Sequence, residues 1–400
     1  MLQIALLGFG VVGSGTAEVL TQNQKQIAAY CGDEVNVKYI LDLRDFPEHP
    51  LGDRVVHDIQ IILNDPEVVL VAEMMGGAHP AYDFTCAALK AGKHVVTSNK
   101  EVVATFGAEL LDLARANHVS YLFEASVGGG IPIIRPLAND VSANCVEEIS
   151  GILNGTTNYI LTKMFKENDS FESALKTAQE LGYAEKDPTA DVDGIDACRK
   201  ISILMSLATG RKFNSSNVNT IGIRGITAED VQYAAAIGCT IKLIGRGFTK
   251  DGKANASVEP MLIPHSCPLS GIEDVFNGVL VKGNMVDELL FYGRGAGKLP
   301  TASAVVGDIV DIVRSPEYND YFTWEDCGNE DVIPYKDVEA RFFVRITEDK
   351  KDKVKAIFDE CEIIKGVSDY GFVTKKMSVA DLEKGIEALG GIVSRLRLFR

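Results

Sequence analysis

The sequence LQIALLGFGVVGSGTAEVL at residues 2–20 decides the fold of the first part of the chain. LQIALL is a short apolar run typical of a buried strand, and the residues after GFGVVG carry apolar side chains at helical spacing. GFGVVG itself fits the Gly-x-Gly-x-x-Gly loop that holds a dinucleotide pyrophosphate at a helix N-terminus. Gly8 permits the tight turn, Gly10 lets the backbone approach the ligand, and Gly13 lets the helix pack on the strand. The stretch therefore predicts a dinucleotide-binding strand, loop and helix.

The residues that follow, to about 125, repeat this alternation. Further strands are predicted at VKYILDL, VVLVAEMM, HVVTSN and VSYLFEAS, with helical patterns between them. Near-continuous apolar strands joined by helices are typical of a parallel sheet covered on both faces. We therefore predict an α/β protein in which residues 1–130 form a Rossmann-type, doubly wound domain.

Beyond residue 130 the pattern changes, beginning with the Gly- and Pro-rich segment GGGIPIIRPLAND. We predict an α+β catalytic and dimerisation domain at 131–299 and a helix at about 300–315 that returns to the first domain. The polar segment 316–337 is expected to be a linker. Residues 338–400 show a βαββαβ pattern, which predicts a separate ferredoxin-like module.

Composition limits the class of partner. The 400-residue chain has a formal net charge of -16, which repels polyanions, so we expect no nucleic-acid binding and favour small molecules. No apolar run approaches the roughly 20 residues of a membrane span, and the first strand begins at Leu2, so neither a membrane segment nor a signal peptide is expected. Eight cysteines without a CxxC pair predict reduced thiols. These features favour a cytoplasmic protein.

The end of the second predicted strand bears on the choice between NAD and NADP. An acidic residue there would accept from a ribose 2′-hydroxyl, whereas an arginine would pair with a 2′-phosphate. The segment ILDLRDF offers Asp42, Arg44 and Asp45, so both cofactors remain open. Arg44 favours NADP.

Three further segments hold candidate chemical groups. Lys100 follows a strand end, where open α/β sheets bind ligands, although a solvated charge is an alternative. Glu124 precedes a run of glycines whose carbonyl groups could bind a cation, although a hinge would have the same composition. Asp196 and Lys200 share one face of a helix, which is typical of a surface ion pair, but the helix is otherwise too apolar to be exposed. A buried, paired lysine there is a candidate for proton transfer.

Six segments together resemble the homoserine dehydrogenase family over residues 1 to about 320: GFGVVG, SNKEVVA, EASVGGGIPII, GILNGTTNYIL, LGYAEKDPTADVDGIDACRK and GRGAGKLPTASAVVGDI. The C-terminal module is similar to an ACT domain, an amino-acid-sensing fold. The resemblance implies reversible, NAD(P)H-dependent reduction of L-aspartate 4-semialdehyde to L-homoserine, in threonine, methionine and isoleucine biosynthesis. It also implies a homodimer or homotetramer.

The resemblance also implies roles for particular residues. Lys200 is the expected proton donor and Lys100 a second catalytic or orienting cation, while Glu185 and Asp196 bind the substrate with help from Asp191. The expected cofactor contacts are Gly8, Phe9, Gly10, Val11, Val12, Gly13, Arg44, Lys100 and Gly297. A sodium ion is expected on the Glu124 side chain and the main-chain carbonyls of Val127, Gly129 and Ile131.

The sequence leaves the regulation of the protein undecided and allows two alternative functions. L-threonine is a candidate effector, but Lys351 and Asp352 stand where ACT modules commonly carry a Pro-Gly pair. A thioester-forming dehydrogenase would need a cysteine nucleophile and a histidine base, yet no histidine lies between His118 and His265 around the candidate Cys198. The other alternative is a catalytically inactive sensor that binds a nucleotide and an amino acid. The presence of all four candidate catalytic and substrate-binding residues argues against it, namely Lys100, Glu185, Asp196 and Lys200.

Overall fold

The structure, a computed structural model, describes residues 2–315, 322–365 and 370–399. Residue contacts divide the chain into two compact units. The first comprises residues 1–144, 206–215 and 293–327, and the second comprises residues 145–205, 216–292 and 328–400.

The described residues contain both helices and strands throughout. The strands are β1 Leu2–Leu7, β2 Val35–Leu41, β3 Val55–Val56, β4 Val68–Glu73, β5 His94–Thr97, β6 Tyr121–Leu122, β7 Val146–Ile152, β8 Arg211–Lys212, β9 Val218–Thr220, β10 Cys239–Lys250, β11 Lys253–Pro264, β12 Phe276–Gly283, β13 Asp287–Arg294, β14 Glu325–Asp326, β15 Glu339–Ala340, β16 Phe342–Ile346, β17 Glu362–Ile364, β18 Tyr370–Val373, β19 Met377–Ser378 and β20 Ser394–Leu398. The helices are α1 Val11–Gln22, α2 Gln24–Cys31, α3 Ile59–Leu63, α4 Ala81–Lys90, α5 Lys100–Ala116, α6 Ile134–Ala138, α7 Gly155–Lys166, α8 Phe171–Glu180, α9 Thr189–Val192, α10 Ile195–Thr209, α11 Ala228–Ala236, α12 Lys298–Arg314, α13 Lys351–Ile357 and α14 Val379–Leu389.

The first unit is built on a six-stranded parallel sheet in the order β3-β2-β1-β4-β5-β6. The Rossmann-type prediction is confirmed, and β3 is an additional short strand. The chain reverses its direction of winding between β1 and β4, which are neighbours in the sheet. Open α/β sheets bind ligands at the carboxyl ends of the strands at such a switch point. The sheet therefore places a ligand site beside the ends of β1 and β4.

The second unit is built on a ten-stranded sheet in which nine strands follow the order β13-β12-β7-β10-β11-β20-β16-β18-β17, and β9 also pairs with β11. The long antiparallel pair of β10 and β11 joins twelve residues of each strand. Buried aliphatic side chains cover this part of the sheet, among them Ile152, Ile244 and Met261. This sheet carries the loop after β7 that enters the candidate site described below.

The C-terminal segment has the predicted element order, β16-α13-β17-β18-α14-β20, but it is not a separate module. Strand β20 pairs in parallel with β11, so the two sheets are continuous. A buried ion pair also joins Arg345 of β16 to Asp230 of α11, with 3.1 Å between Nε and Oδ1. The prediction of an independent module was wrong on this point because strand patterns in a sequence do not reveal which sheet edge a strand joins.

Two predicted boundaries also change. The first unit extends to residue 144, not 130, because the Glu124 side chain binds the start of α6 within it. Of the predicted linker at 316–337, residues 316–321 lie outside the described residues. In the described part of this segment Phe322 and Trp324 are buried, and the Trp324 ring lies against Gly107 of α5 and beside the Phe123 ring. No helix in the described ranges has the length and hydropathy required to cross a membrane.

Candidate active site

The glycine loop links the end of β1 to α1 in the first unit. Gly8 has φ of 88°, a conformation that favours glycine. A Cβ on Gly13 would collide with the carbonyl oxygen of Gly8, whereas nothing lies within 4 Å of the Cβ position of Gly10. The loop is thus closed on its helix side and open at Gly10, as backbone approach of a phosphate requires.

Asp42, at the end of β2, is tied to the glycine loop. Its Oδ2 accepts from the N–H of Phe9 at 2.8 Å, and its Oδ1 accepts from the Nε of Arg44 at 3.0 Å. Partial burial works to raise the pKa of Asp42, but the hydrogen bonds from Arg44 and Phe9 outweigh it and lower that pKa to about 2. Asp42 is therefore ionised at neutral pH, while the Arg44 side chain is 63% exposed and keeps contact with solvent.

A cleft of about 490 Å³ lies beside this group, lined among others by Gly8, Gly10, Arg44 and Met75. His57 also lines it, with Nδ1 2.7 Å from the carbonyl oxygen of Asp42. That contact, together with the Asp45 carboxylate, raises the pKa of His57. An apolar cleft with a few polar groups at a switch point is typical of a nucleotide site.

The other predicted cofactor residues of the first unit lie around the glycine loop or on nearby helices. Phe9 is buried and Val11 is exposed, while Val12 is half-buried in the first turn of α1. Gly297 is the N-cap of α12, with φ of 126°, and the next residue, Lys298, contacts Gly15 of α1. Lys100 is the half-buried first residue of α5 and is not among the residues that line the cleft.

The Glu124 carboxylate, the predicted metal ligand, accepts three backbone hydrogen bonds in the structure. Its Oε1 accepts from the N–H groups of Ile133 and Ile134 at 2.6 and 2.8 Å, and its Oε2 accepts from the N–H of Arg135 at 2.8 Å. The carboxylate therefore caps the N-terminus of α6, which the helix dipole favours. Within the described residues no group of three or more His, Cys, Asp or Glu is arranged to hold a metal.

In the second unit, α10 brings Asp196 and Lys200 together as a buried pair. The Nζ of Lys200 donates to Oδ2 of Asp196 at 2.7 Å and to the carbonyl oxygen of Leu153 at 2.8 Å. Lys200 is 7% exposed and Asp196 is 5% exposed. The surface-pair alternative is therefore wrong, because the apolar remainder of α10 buries this face.

Asn154 joins a second carboxylate to this pair. Its side-chain Nδ2 donates to Oδ1 of Asp191 at 2.7 Å and to Oδ2 of Asp196 at 2.9 Å. Its Oδ1 caps α7 by accepting from the N–H of Thr157. Burial raises the pKa of Asp191, and the neighbouring negative charge of Asp196 raises it further. The hydrogen bond from Asn154 lowers this pKa but does not reverse the shift. Two carboxylates and one ammonium give this hydrogen-bonded cluster a formal charge of -1.

Glu185 is not part of the cluster as the structure has it. It lies on the exposed segment between α8 and α9, and its carbonyl oxygen accepts from Gln179. Within the described ranges its carboxylate forms no hydrogen bond or ion pair with Asp196 or Lys200.

Sequence reasoning missed two residues of these sites. Asn154 had a visible signal, since Asn before a helical run is a common N-cap, but its contact with two acids arises from distant residues. His57 gave no signal, because only the pairing of β2 and β3 brings it beside Asp42.

The parallel sheet, the glycine loop and the buried acid–lysine cluster define a two-unit NAD(P)-dependent oxidoreductase. The comparisons with known proteins specify it further. The model of the homoserine dehydrogenase NAD-binding domain matches residues 8–124, and the homoserine dehydrogenase model matches residues 132–310. The chain belongs to the homoserine dehydrogenase family and interconverts L-aspartate 4-semialdehyde and L-homoserine with a nicotinamide cofactor.

Individual homoserine dehydrogenases are similar to this chain over most of its length. Homoserine dehydrogenase of Bacillus subtilis is 42% identical over 317 residues, which cover 78% of this chain and 73% of the relative. The Mycobacterium bovis enzyme is 36% identical and covers 97% of this chain and 88% of its own length. The crystal structure of the Thiobacillus denitrificans enzyme matches with a TM-score of 0.91 at 34% identity, covering 100% and 98% of the two chains. These relatives favour an enzyme over the inactive sensor.

Proposed function

We propose that Lys200 is the proton donor of this homoserine dehydrogenase. The bound nicotinamide cofactor supplies the hydride, and reduction of an aldehyde leaves negative charge on its oxygen. An ammonium beside that oxygen stabilises the charge and delivers the proton. The hydrogen bonds from Lys200 to Asp196 and Leu153 hold the ammonium in place, and this buried geometry is the observation that carries the proposal. Lys100 is proposed as a second cation that orients the reacting groups.

Substrate binding follows from the charge of the cluster. The two negative charges of Asp191 and Asp196 outnumber the single positive charge of Lys200. The α-ammonium of an amino-acid substrate would restore neutrality, so we propose that these two carboxylates bind it. Glu185 is proposed as a further ligand from the exposed segment between α8 and α9.

Replacement of Lys200 tests the proposal. We expect Lys200→Met to reduce kcat by about 10²–10⁴-fold, the usual contribution of a positioned acid, with the Kd of NADPH unchanged. Absorbance of the reduced nicotinamide measures the rate, and NADPH fluorescence measures binding. Lys176→Met, at a surface lysine of α8, is the matched control and should behave as wild type. Retained kcat in Lys200→Met would remove this residue from the mechanism.

The cofactor is proposed to be NADPH, bound in the cleft of the first unit. Arg44 is mostly exposed beside that cleft; it pairs with Asp42 through Nε and Nη2, and we propose that its Nη1 pairs with a 2′-phosphate. A related hyperthermophilic archaeal homoserine dehydrogenase, 29% identical with a TM-score of 0.68 over 80% of this chain and 99% of its own, was solved as a mutant with NADPH. We expect Arg44→Ala to raise the KM of NADPH by about 10- to 100-fold, the loss of one charge-assisted pair, and to leave the KM of NADH nearly unchanged. Equal effects on both cofactors would contradict the role of Arg44.

The sodium site is proposed with the ligands expected from the sequence, which are the Glu124 side chain and three main-chain carbonyl groups. The Glu124 carboxylate fits as a ligand, because Oε2 accepts a single backbone hydrogen bond and keeps a lone pair for a cation. The carbonyl groups of Val127, Gly129 and Ile131 fit the oxygen preference of a hard cation and lie in a buried loop. Exchange of KCl for NaCl at constant ionic strength should raise the Tm, and an unchanged Tm would argue against the ion.

L-threonine is proposed as an effector at the C-terminal segment. An open cleft of about 540 Å³ lies there, lined by acidic Glu383 and Glu387 and by basic Arg395. An amino acid needs groups of both charges, and the βαββαβ order is that of amino-acid-sensing domains. Initial rates with added L-threonine at sub-saturating homoserine test this, and unchanged rates would contradict it.

Two further proposals concern assembly and compartment. Strand β13 lies at one end of the large sheet, and apolar Met285, Leu290 and Tyr292 are exposed on or beside it, so we propose that a second copy covers it in a homodimer. Light scattering in solution tests this state.

All eight cysteines are free thiols, which supports a cytoplasmic location, and cell fractionation tests it.

A further inference from the structure

Glu73 is a fully buried carboxyl at the end of β4, where β4 meets β1 at the switch point of the sheet. Its exposed fraction is 0%, and the groups that act on its charge within the described residues are the hydrogen-bond donors Thr97, Met75 and Asn99, with no cation among them. A carboxylate buried without a cation is unfavourable for stability, and burial raises the pKa of Glu73 to about 7. Such a group at a ligand-binding edge points to a role other than packing.

One carboxyl oxygen of Glu73 holds the segment that follows β4. Oε1 accepts from the N–H of Met75 at 2.7 Å. This segment, residues 74–77, supplies Met74, Met75 and Gly76 to the wall of the nucleotide cleft. It also lies against the glycine loop, since a Cβ on Gly8 would be 3.0 Å from the carbonyl oxygen of Met74. The position of the cleft wall therefore depends on Glu73.

The other oxygen holds the turn that leads to Lys100. Oε2 accepts from the hydroxyl of Thr97 at 2.6 Å, and that hydroxyl in turn accepts from the N–H of Asn99 at 2.9 Å. Asn99 is the N-cap of α5, whose first residue is Lys100. The Asn99 amide also donates to the carbonyl oxygen of Gly77 at 2.8 Å, which returns the chain of hydrogen bonds to the cleft wall.

We propose that Glu73 is a positioning residue for hydride transfer, which fixes the cleft wall at residues 74–77 and the start of α5 in one arrangement. It acts through Met75 and Thr97 and not through contact with the substrate. The part that concerns Lys100 rests on the function proposed above for that residue. The part that concerns cofactor binding depends only on the cleft.

The experiment compares Glu73→Gln with two variants of Thr97, the residue whose hydroxyl donates to Glu73. Gln keeps the size and can still accept from Met75, but its amide nitrogen donates to the Thr97 hydroxyl instead of accepting from it, which reverses this hydrogen bond and turns the hydroxyl proton elsewhere. We expect the Kd of NADPH to rise and kcat to fall, each on the order of 10- to 100-fold, because small displacements of reacting groups have effects of this size. The KM of homoserine should stay within about twofold, as its proposed ligands lie in the second unit. Thr97→Val should reproduce these changes, and Thr97→Ser, which keeps the hydroxyl, should largely avoid them.

The control is Glu67→Gln, at an exposed carboxylate of the same unit, which should behave as wild type. A wild-type Kd of NADPH in both Glu73→Gln and Thr97→Val overturns the proposal, and so does an equal effect of Thr97→Ser and Thr97→Val. Lys100→Met could retain full kcat while Glu73→Gln binds NADPH weakly. That result would refute the function proposed for Lys100 and support the role proposed for Glu73 in the cleft. If Glu73→Gln does not fold, the contrast between Thr97→Ser and Thr97→Val decides the same question.

Discussion

The raised pKa of Glu73 predicts a specific dependence of stability on pH. The carboxyl titrates near pH 7 in the folded protein and near its ordinary value of 4.5 in the unfolded chain. The folded state therefore binds the proton more tightly, so the contribution of Glu73 to stability is fully present below pH 4.5 and is lost as pH rises through 7. From pH 5 to pH 8 this loss is about 2.5 kcal/mol, since each pKa unit corresponds to about 1.36 kcal/mol.

Glu73→Gln removes the titration of this side chain, and the altered hydrogen bonds to Met75 and Thr97 change stability by an amount that does not depend on pH. The free energy of unfolding of the variant relative to wild type should therefore increase by about 2.5 kcal/mol between pH 5 and pH 8. Urea unfolding of both proteins at the two pH values measures this difference, with Glu67→Gln as the exposed control. A variant that gains relative stability with pH while losing cofactor affinity would show that the carboxylate is kept for function. A difference between Glu73→Gln and wild type that is the same at pH 5 and pH 8 would refute the reasoning.

Two other substitutions test contacts of the second unit. Asn154→Ala removes the amide that joins Asp191 to Asp196, so the KM of homoserine should rise several-fold while the Kd of NADPH stays constant, and the lost helix cap should lower stability by about 1 kcal/mol. An unchanged KM would show that the two acids do not depend on this bridge. Arg345→Met leaves the buried Asp230 charge without the cation that balances it, so urea unfolding should show a loss of about 3–5 kcal/mol, and the double variant Arg345→Met/Asp230→Asn, which removes the charge and keeps an acceptor for Thr227, should recover much of it. Equal stability of the single and double variants would contradict this explanation.

Much of the candidate site could be predicted from local sequence. The glycine loop is a contiguous motif whose three glycines meet steric demands within six residues, as Gly13 against Gly8 shows. Asp196 and Lys200 are four residues apart on one helix, so their pairing follows from helix geometry. The roles of Glu124 and Asn154 could not be predicted in the same way. The Glu124 carboxylate accepts from N–H groups nine to eleven residues away that face it only after α6 has formed.

The sequence by itself determined the strand and helix alternation of residues 2–122, the glycine loop and the acid–lysine spacing, because each depends on the conformation of a few neighbouring residues. Only the tertiary structure decided which strands pair, that β20 joins β11, and that Glu73 lies between the cleft wall and α5. Such pairings bring together residues far apart in the chain, and their free energy depends on burial and hydrogen bonds that exist only once the sheets have formed.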